Sequence, residues 1–199
     1  MKFLWSSHSP LPEGFYGVMK TPSGRVEAHV DEGALWAGDN EAFSGLFNRD
    51  RFTGWLEKMI PYKDKCLFVA VPDVVGDALN TLVRWGEWRD TLRGWPLAFV
   101  AQDGQEHLPL PDGYDVLFIG GTTEWKESPA ALDLIRRAQA DGKRIHIGRV
   151  NWKRRYDMFR VLNGSDKFTC DGTRQRFVGT DKTITAWSRL MSQAPLVQI

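Results

Sequence analysis

Six short apolar runs in this 199-residue chain end in residues that can move protons or read polar edges. ALWAGDNEAF leads to Asp39, Asn40 and Phe43, VPD to Asp73, and AQD to Gln102; FIGG ends in Gly120 and Gly121, HIGR carries His146 and Arg149, and TCDG carries Asp171. Taken singly, each suits a turn or a helix cap. Taken together, they describe a pocket. Two acids from opposite sides of it permit a nucleophile and a general acid or base, held in different protonation states by their surroundings. A glutamine offers a paired donor and acceptor to a base or amide edge, and a Gly-Gly pair lets a planar ligand come close to the backbone. A phenylalanine stacks on a nucleobase. This is the equipment for exchanging or cleaving a glycosidic bond to a purine-like base.

Such residues converge only if the elements bearing them are arranged in parallel. Apolar runs recur at 2–7, 14–19, 34–39, 66–73, 96–103, 115–121, 144–150 and 167–172, and near-continuous runs rich in Val, Ile and Phe suit strands covered on both faces. Helical patterns alternate with them. Ser128 is a natural N-cap with Pro129 at the first helical position, Ala131, Leu134, Ile135 and Ala138 form a stripe, and Gly142 ends it. Residues 76–93 carry Leu79, Leu82, Trp85, Trp88 and Leu92 at helical spacing, and 43–60 and 152–163 are less regular cases. The alternation predicts an α/β fold: a compact (β/α)8 TIM-like barrel over residues 1–199, with an open doubly wound sheet as the alternative. Since typical barrels need about 250 residues, some helices are expected to be reduced to loops, 104–114 among them. No GxxxxGK[ST] or GxGxxG is present, which weakens the dinucleotide-binding alternative.

Composition narrows the partners. The 26 basic and 25 acidic residues leave a net charge of +1, so no global field selects nucleic acid or membrane. Residues 136–182 nevertheless hold 13 Lys or Arg against 5 Asp or Glu. Lys153, Arg154 and Arg155, with Arg174 and Arg176 near another strand end, suit contact with phosphates; Lys126 and Arg149 are expected beside the substrate. A solvated helix face explains Lys153, Arg154 and Arg155 equally well, and His146, alternating with apolar residues, fits a core histidine too. Cys66 and Cys170 lie in separate apolar runs without zinc spacing, so both are read as reduced core residues and no metal or other cofactor is expected. No run approaches the roughly 18 residues of a membrane span. The start reads as a first strand rather than a secretion signal, and a cytoplasmic protein is expected.

The order of these motifs resembles the tRNA-guanine transglycosylase superfamily, and its DNA-modifying branch most closely, the 7-deazaguanine transglycosylases of phages and bacterial genomic islands. GDNEAF is similar to that family's Asp-Ser-Gly-Gly-Phe motif, VPDVVGD to the strand whose Asp meets the purine, AQDG to the segment with the base-reading Gln, and FIGGTTEWK followed by HIGRVN to the Gly-Gly strand and its successor. The resemblance covers about residues 34–174. It implies that Asp39 contacts the base and manages its proton, that Phe43 stacks, that Asp73, Gln102, Gly120 and Gly121 read the base, and that an acid in SDKFTCDGTRQRF attacks C1′ of the nucleoside.

Two departures matter. The related DNA enzymes are expected to carry Asp-Ser-x-Asp-Gly-Thr, and this chain has Phe168 in place of the first acid; Asp171 is the physically favoured nucleophile and Asp166 the alternative. The cysteine-rich zinc module of the tRNA enzymes is also missing, which favours DNA over tRNA as acceptor. A base in a duplex must be flipped out or met in a single strand. The resulting expectation is an enzyme exchanging guanine for a 7-deazaguanine derivative in nucleic acid, with a homo-oligomer compatible. An N-glycoside hydrolase acting on nucleosides or nucleotides, and an inactive nucleic-acid- or base-binding barrel, remain the other readings.

Overall fold

A computed structural model describes residues 1–6, 9–25, 29–160 and 167–192. Its eight strands form a closed, all-parallel barrel in sequence order: β1 (Lys2–Trp5), β2 (Gly17–Lys20), β3 (Trp36–Gly38), β4 (Cys66–Ala70), β5 (Leu97–Ala101), β6 (Val116–Ile119), β7 (Arg144–Ile147) and β8 (Phe168–Gly172), which closes onto β1 with Asp171 opposite Leu4. Every apolar run of the sequence supplies one strand. The helices are α1 (Arg49–Met59), α2 (Ala78–Trp88), α3 (Thr123–Lys126), α4 (Pro129–Ala140), α5 (Lys153–Arg160), α6 (Gln175–Val178) and α7 (Thr180–Met191). The described parts of the β1–β2 and β2–β3 connections contain no helix, and residues 105–107 form a single 3-10 turn. This economy is how a barrel is closed with 199 residues.

The helices begin where capping chemistry places them. Asn48, Asp77, Thr122 and Ser128 each accept a backbone N–H of the first turn, which satisfies a donor that the helix leaves open. Ser128 and Pro129 stand as the sequence implies. The stripe on α2 differs: Ala78, Thr81, Trp85 and Trp88 are buried, whereas Leu79 is 61% exposed. The helix meets the sheet through its two tryptophans, and their width turns the neighbouring leucine outward.

Strand parity divides the core in two. Leu4, Met19, Ala37, Phe68, Ala70, Ala98, Val100, Val116 and Phe118 fill the barrel, where the small side chains of β3, β4 and β5 leave room for the rings of Phe68 and Phe118. The opposite faces, with Trp36, Phe99, Leu117, Ile145 and Phe168, pack under the helices beside Trp55, Trp85, Trp88 and Trp187. Two residues beyond each inward-facing position come Asp39 after Ala37, Gln102 after Val100, Gly120 after Phe118 and Asp171 after Thr169. The alternation that builds the interior therefore also points these residues into the barrel's C-terminal mouth. Among the described residues no helix is long and apolar enough to cross a membrane.

Candidate functional site

A cavity of about 440 Å³ opens at that mouth, within the range of small-molecule sites. Ala70, Val100 and Phe118 form its apolar floor, and Asp39, Asn40, Phe43, Asp73, Gln102, Gly120, Gly121, Arg149 and Asp171 stand around it. Nine of the expected site residues are thus brought together. Thr21, Ser23, Glu41, Thr173 and Arg176 also line it. Only Arg176 among these was marked by the sequence, as one strand-end cation of several.

The two principal acids are held in the same way and tuned in opposite directions. Asp39 accepts the backbone N–H of Glu41 at 2.6 Å, and Asp171 accepts that of Arg149 at 3.0 Å. Both donors are non-glycine residues in the left-handed region, with φ of 65° and 59°. That backbone costs about 1–2 kcal/mol at each position, and in both cases it turns an amide onto a carboxylate in the cavity. Local strain of this kind is characteristic of functional sites.

Asp39 is half-exposed to the cavity, yet its carboxyl lies deep at the barrel mouth. Burial, with the charges of Asp171, Asp73 and Glu41, raises it to about 7 against the opposing Glu41 N–H. Asp171 moves the other way. Burial would raise it, but a hydrogen bond from His146, the Arg149 N–H and the charge of Lys126 outweigh this and hold it below the usual carboxylate value. One acid is therefore poised to carry a proton near neutral pH while the other stays ionised. The strands β1 and β2 separate β3 from β8, so the two carboxylates face each other across one side of the mouth rather than its full diameter.

His146 and Lys126, expected to touch substrate, do not line the cavity. His146 is fully buried inside the barrel against the rings of Phe68 and Phe118. Its Nδ1 lies 2.9 Å from Thr169 Oγ1 and its Nε2 lies 3.2 Å from Asp171 Oδ1. Burial holds the imidazole below its ordinary value against the pull of Asp171, which makes the neutral ring the resting form. The network then assigns its proton to Nε2, donated to Asp171, with the Thr169 hydroxyl donating to Nδ1. Lys126, 1% exposed, donates to the Gly148 carbonyl, and burial together with Arg149 lowers it well below the usual lysine value. The short helix α3 turns it back behind the wall, so it acts on Asp171 through charge.

The wall facing the acids is a closed amide network. Asp73 is buried, with Oδ1 accepting from Asn40 Nδ2 at 2.8 Å and Oδ2 from Gln102 Nε2 at 2.6 Å. Burial raises its carboxyl despite these bonds. Gln102 Oε1 in turn accepts the N–H groups of Gly76 and Gly121, both at 2.9 Å. Its acceptor is therefore committed to the protein, and what faces a ligand is the second Nε2 hydrogen and the remaining lone pairs of Asp73. The glycine pair has a packing cause as well. A Cβ on Gly120 would lie 2.7 Å from Gln102 Nε2, and one on Gly121, at φ 58°, would run into the Trp125 indole and Asp103 Oδ2.

At the opening, the Arg149 guanidinium lies 3.8 Å from the centre of the Phe43 ring, which is 61% exposed, and donates to the Gly121 carbonyl. Phe43 thus offers a ring already backed by a cation on one face. Of the residues expected to meet a phosphate backbone, Lys153 and Arg154 are exposed but paired with Asp157 and Glu127. Arg174 stands 4.7 Å over the half-exposed Trp152 ring. Arg155 does not fit the expectation. It is largely buried and donates to Glu127, to the Arg149 carbonyl at 2.7 Å and to Thr123, so its guanidinium is used in fixing the Arg149 loop.

Phe168, where the related enzymes are expected to have an acid, faces the outer core at the start of β8 and is 1% exposed. An acid at that parity would point under the helices. Asp166 lies outside the described residues. Cys66 and Cys170 are free thiols, and no group of three or more His, Cys, Asp or Glu able to hold a metal occurs among the described residues. No family model, curated protein or solved structure matches the chain.

Proposed function

We propose that the protein is a transglycosylase-like enzyme that exchanges guanine for a 7-deazaguanine derivative in nucleic acid, with DNA the favoured acceptor. The observation that carries this reading is the pair of tuned carboxylates, Asp39 and Asp171, at one cavity with an apolar floor and a hydrogen-bonding wall. Asp171, ionised, attacks C1′; the C1′–N9 bond breaks and a C1′–Oδ ester forms. The departing guanine leaves with a proton supplied by Asp39, whose position near 7 suits a group that both gives and takes one. The incoming base then loses its N9 proton to Asp39, its nitrogen attacks C1′, and the ester bond breaks. Protons and electron pairs balance with no further reactant. Asp73, backed by Asn40 and Gln102, meets the polar edge of the base, and Phe43 covers its face.

The test is to incubate the protein with guanine-containing DNA or tRNA and an isotope-labelled 7-deazaguanine base, then to follow nucleosides by mass spectrometry. Label entering the polymer with equimolar release of guanine is the expected result, and Asp171→Ala should abolish covalent capture of the polymer. Guanine release without incorporation would replace exchange by hydrolysis. Binding without any turnover would reduce the chain to a base-binding barrel.

A further inference from the structure

A second, smaller cavity of about 140 Å³ adjoins the first across the two acids. The two share Thr21, Gly24, Asp39, Asp171, Thr173 and Arg176. Their remaining walls differ in character. The large cavity adds Glu41 and Asp73 and an apolar floor; the small one adds Ser6, Val18, Met19, Lys20 and His29, with no acid. It occupies the β1–β2 side of the mouth, the arc separating β3 from β8. Lys20 is buried there. Arg176 is exposed at the junction and enters no ion pair among the described residues. The Ser6 hydroxyl oxygen is buried and has no hydrogen-bond partner.

We infer that this smaller cavity is a phosphate subsite, taking the phosphoryl group attached to the sugar whose C1′ stands at Asp171. The assignment rests on the exchange reading only in placing a sugar at the junction of the two chambers. A planar base fits the large chamber, whose apolar floor and amide wall suit it. A phosphate cannot follow it there, because Glu41 and Asp73 add negative charge to that of the shared acids. On the other side, an ammonium, a guanidinium and an unsatisfied hydroxyl converge without an opposing carboxylate beyond the shared pair, and charge-assisted donors of this kind are what phosphate oxygens require. The division also gives Arg176 a task different from that of the surface cations on α5: it holds the reacting nucleotide itself, whereas Lys153 and Arg154 sit farther along the chain's basic segment.

The chemistry is shared by a phosphomonoester and a phosphodiester, and binding experiments separate the two without any need for turnover. Calorimetric titration of the full chain with guanosine, its 5′- and 3′-monophosphates, and a guanosine-containing dinucleotide measures the gain conferred by each phosphate. At least one phosphorylated probe should bind about tenfold more tightly than guanosine. Arg176→Ala should remove most of that gain and leave guanosine binding unchanged. Ser6→Asp, which puts a negative charge in the chamber, should do the same, and the exposed Arg176 provides the variant least able to disturb folding. A gain confined to monoesters identifies a free nucleotide as ligand, and a gain with the dinucleotide identifies a polymer; both support the subsite. Equal affinity for guanosine and every phosphorylated probe, or a gain untouched by both variants, would overturn it. If exchange fails while the phosphate gain and its loss in Arg176→Ala persist, the subsite stands and the transglycosylase reading falls.

Discussion

His146 reaches Asp171 from inside the barrel, Nε2 to Oδ1 at 3.2 Å, while the other edge of the carboxyl group looks into the cavity. The imidazole is sandwiched among core rings and is anchored by Thr169, so it cannot follow a ligand. It is a positioning residue: its hydrogen bond, with the Arg149 N–H, keeps Asp171 ionised and aimed. Removing the donor by His146→Leu should raise the Asp171 carboxyl, so the acidic limb of the pH–rate profile for exchange moves to higher pH. The rate at neutral pH should fall by about 10–100-fold. His146→Gln, which can still donate, should restore part of both. A loss of rate with an unmoved acidic limb would mean that the ring only fills space.

Asp39 makes the opposite prediction. Its carboxyl is raised from 3.8 to about 7, so the folded state binds this proton more tightly than the unfolded chain does. The sign follows from linkage: the contribution to stability is complete below the unfolded value and is lost as pH rises from about 4 to about 7. Asp39→Asn keeps the acceptor for the Glu41 N–H and removes the charge. The variant should therefore gain about 2 kcal/mol relative to the native chain at pH 8, with little difference at pH 4, measured by denaturant unfolding at both values. Exchange should be lost at every pH. A pH-independent stability difference would show that Asp39 is not the group that titrates.

How much of this was legible beforehand depends on which property the sequence carries. Strand parity and breaker residues are local, so the eight strands, the N-cap at Ser128 and the convergence of Asp39, Asp73, Gln102 and Asp171 could be read directly. Direction off the strand is not local. Lys126 and His146 stand close to strand ends or inside a strand like the others, but a four-residue helix turns one behind the wall, and the register of β7 places the other among Phe68 and Phe118. Arg155 was indistinguishable from Arg154 in a run of cations, since only the fold reveals that one side chain lies over the Arg149 loop. The short helices α3 and α6 carry too few residues for a period, and Lys20, His29 and Ser6 join the site only because β1 and β2 lie between the two acids.

Gln102 carries a prediction that separates reading from scaffolding. Its amide links Asp73 to the N–H groups of Gly76 and Gly121, so Gln102→Leu leaves a buried carboxyl without one donor and two amides without an acceptor. Leaving buried polar groups unsatisfied costs about 1–3 kcal/mol each, and a Tm drop of many degrees should accompany any loss of base affinity. Gly121→Ala should be similarly destabilising, since φ 58° and the Trp125 indole both oppose a Cβ. Should Gln102→Leu retain native stability while losing base binding, the residue would be a reader and the network incidental.

Arg149 isolates the contribution of backbone strain. Arg149→Ala and Arg149→Gly both remove the guanidinium from Phe43 and from the Gly121 carbonyl, and they differ only in how well the new residue accepts φ 59°. The glycine variant should be more stable than the alanine variant by about 1 kcal/mol, the reverse of the order expected in ordinary backbone. Both should retain the N–H on Asp171, but the glycine loosens it. Arg155, whose guanidinium binds the Arg149 carbonyl and Glu127, extends the test: Arg155→Ala should lower stability by about 1–3 kcal/mol, whereas Arg154→Ala, removing an exposed pair, should change it by less than about 1 kcal/mol. Thermal unfolding of the four variants measures all of this. Equal stability of the two Arg149 variants would mean that the loop relaxes out of the left-handed region once the side chain is gone, and that the strain serves the arginine rather than the amide donated to Asp171.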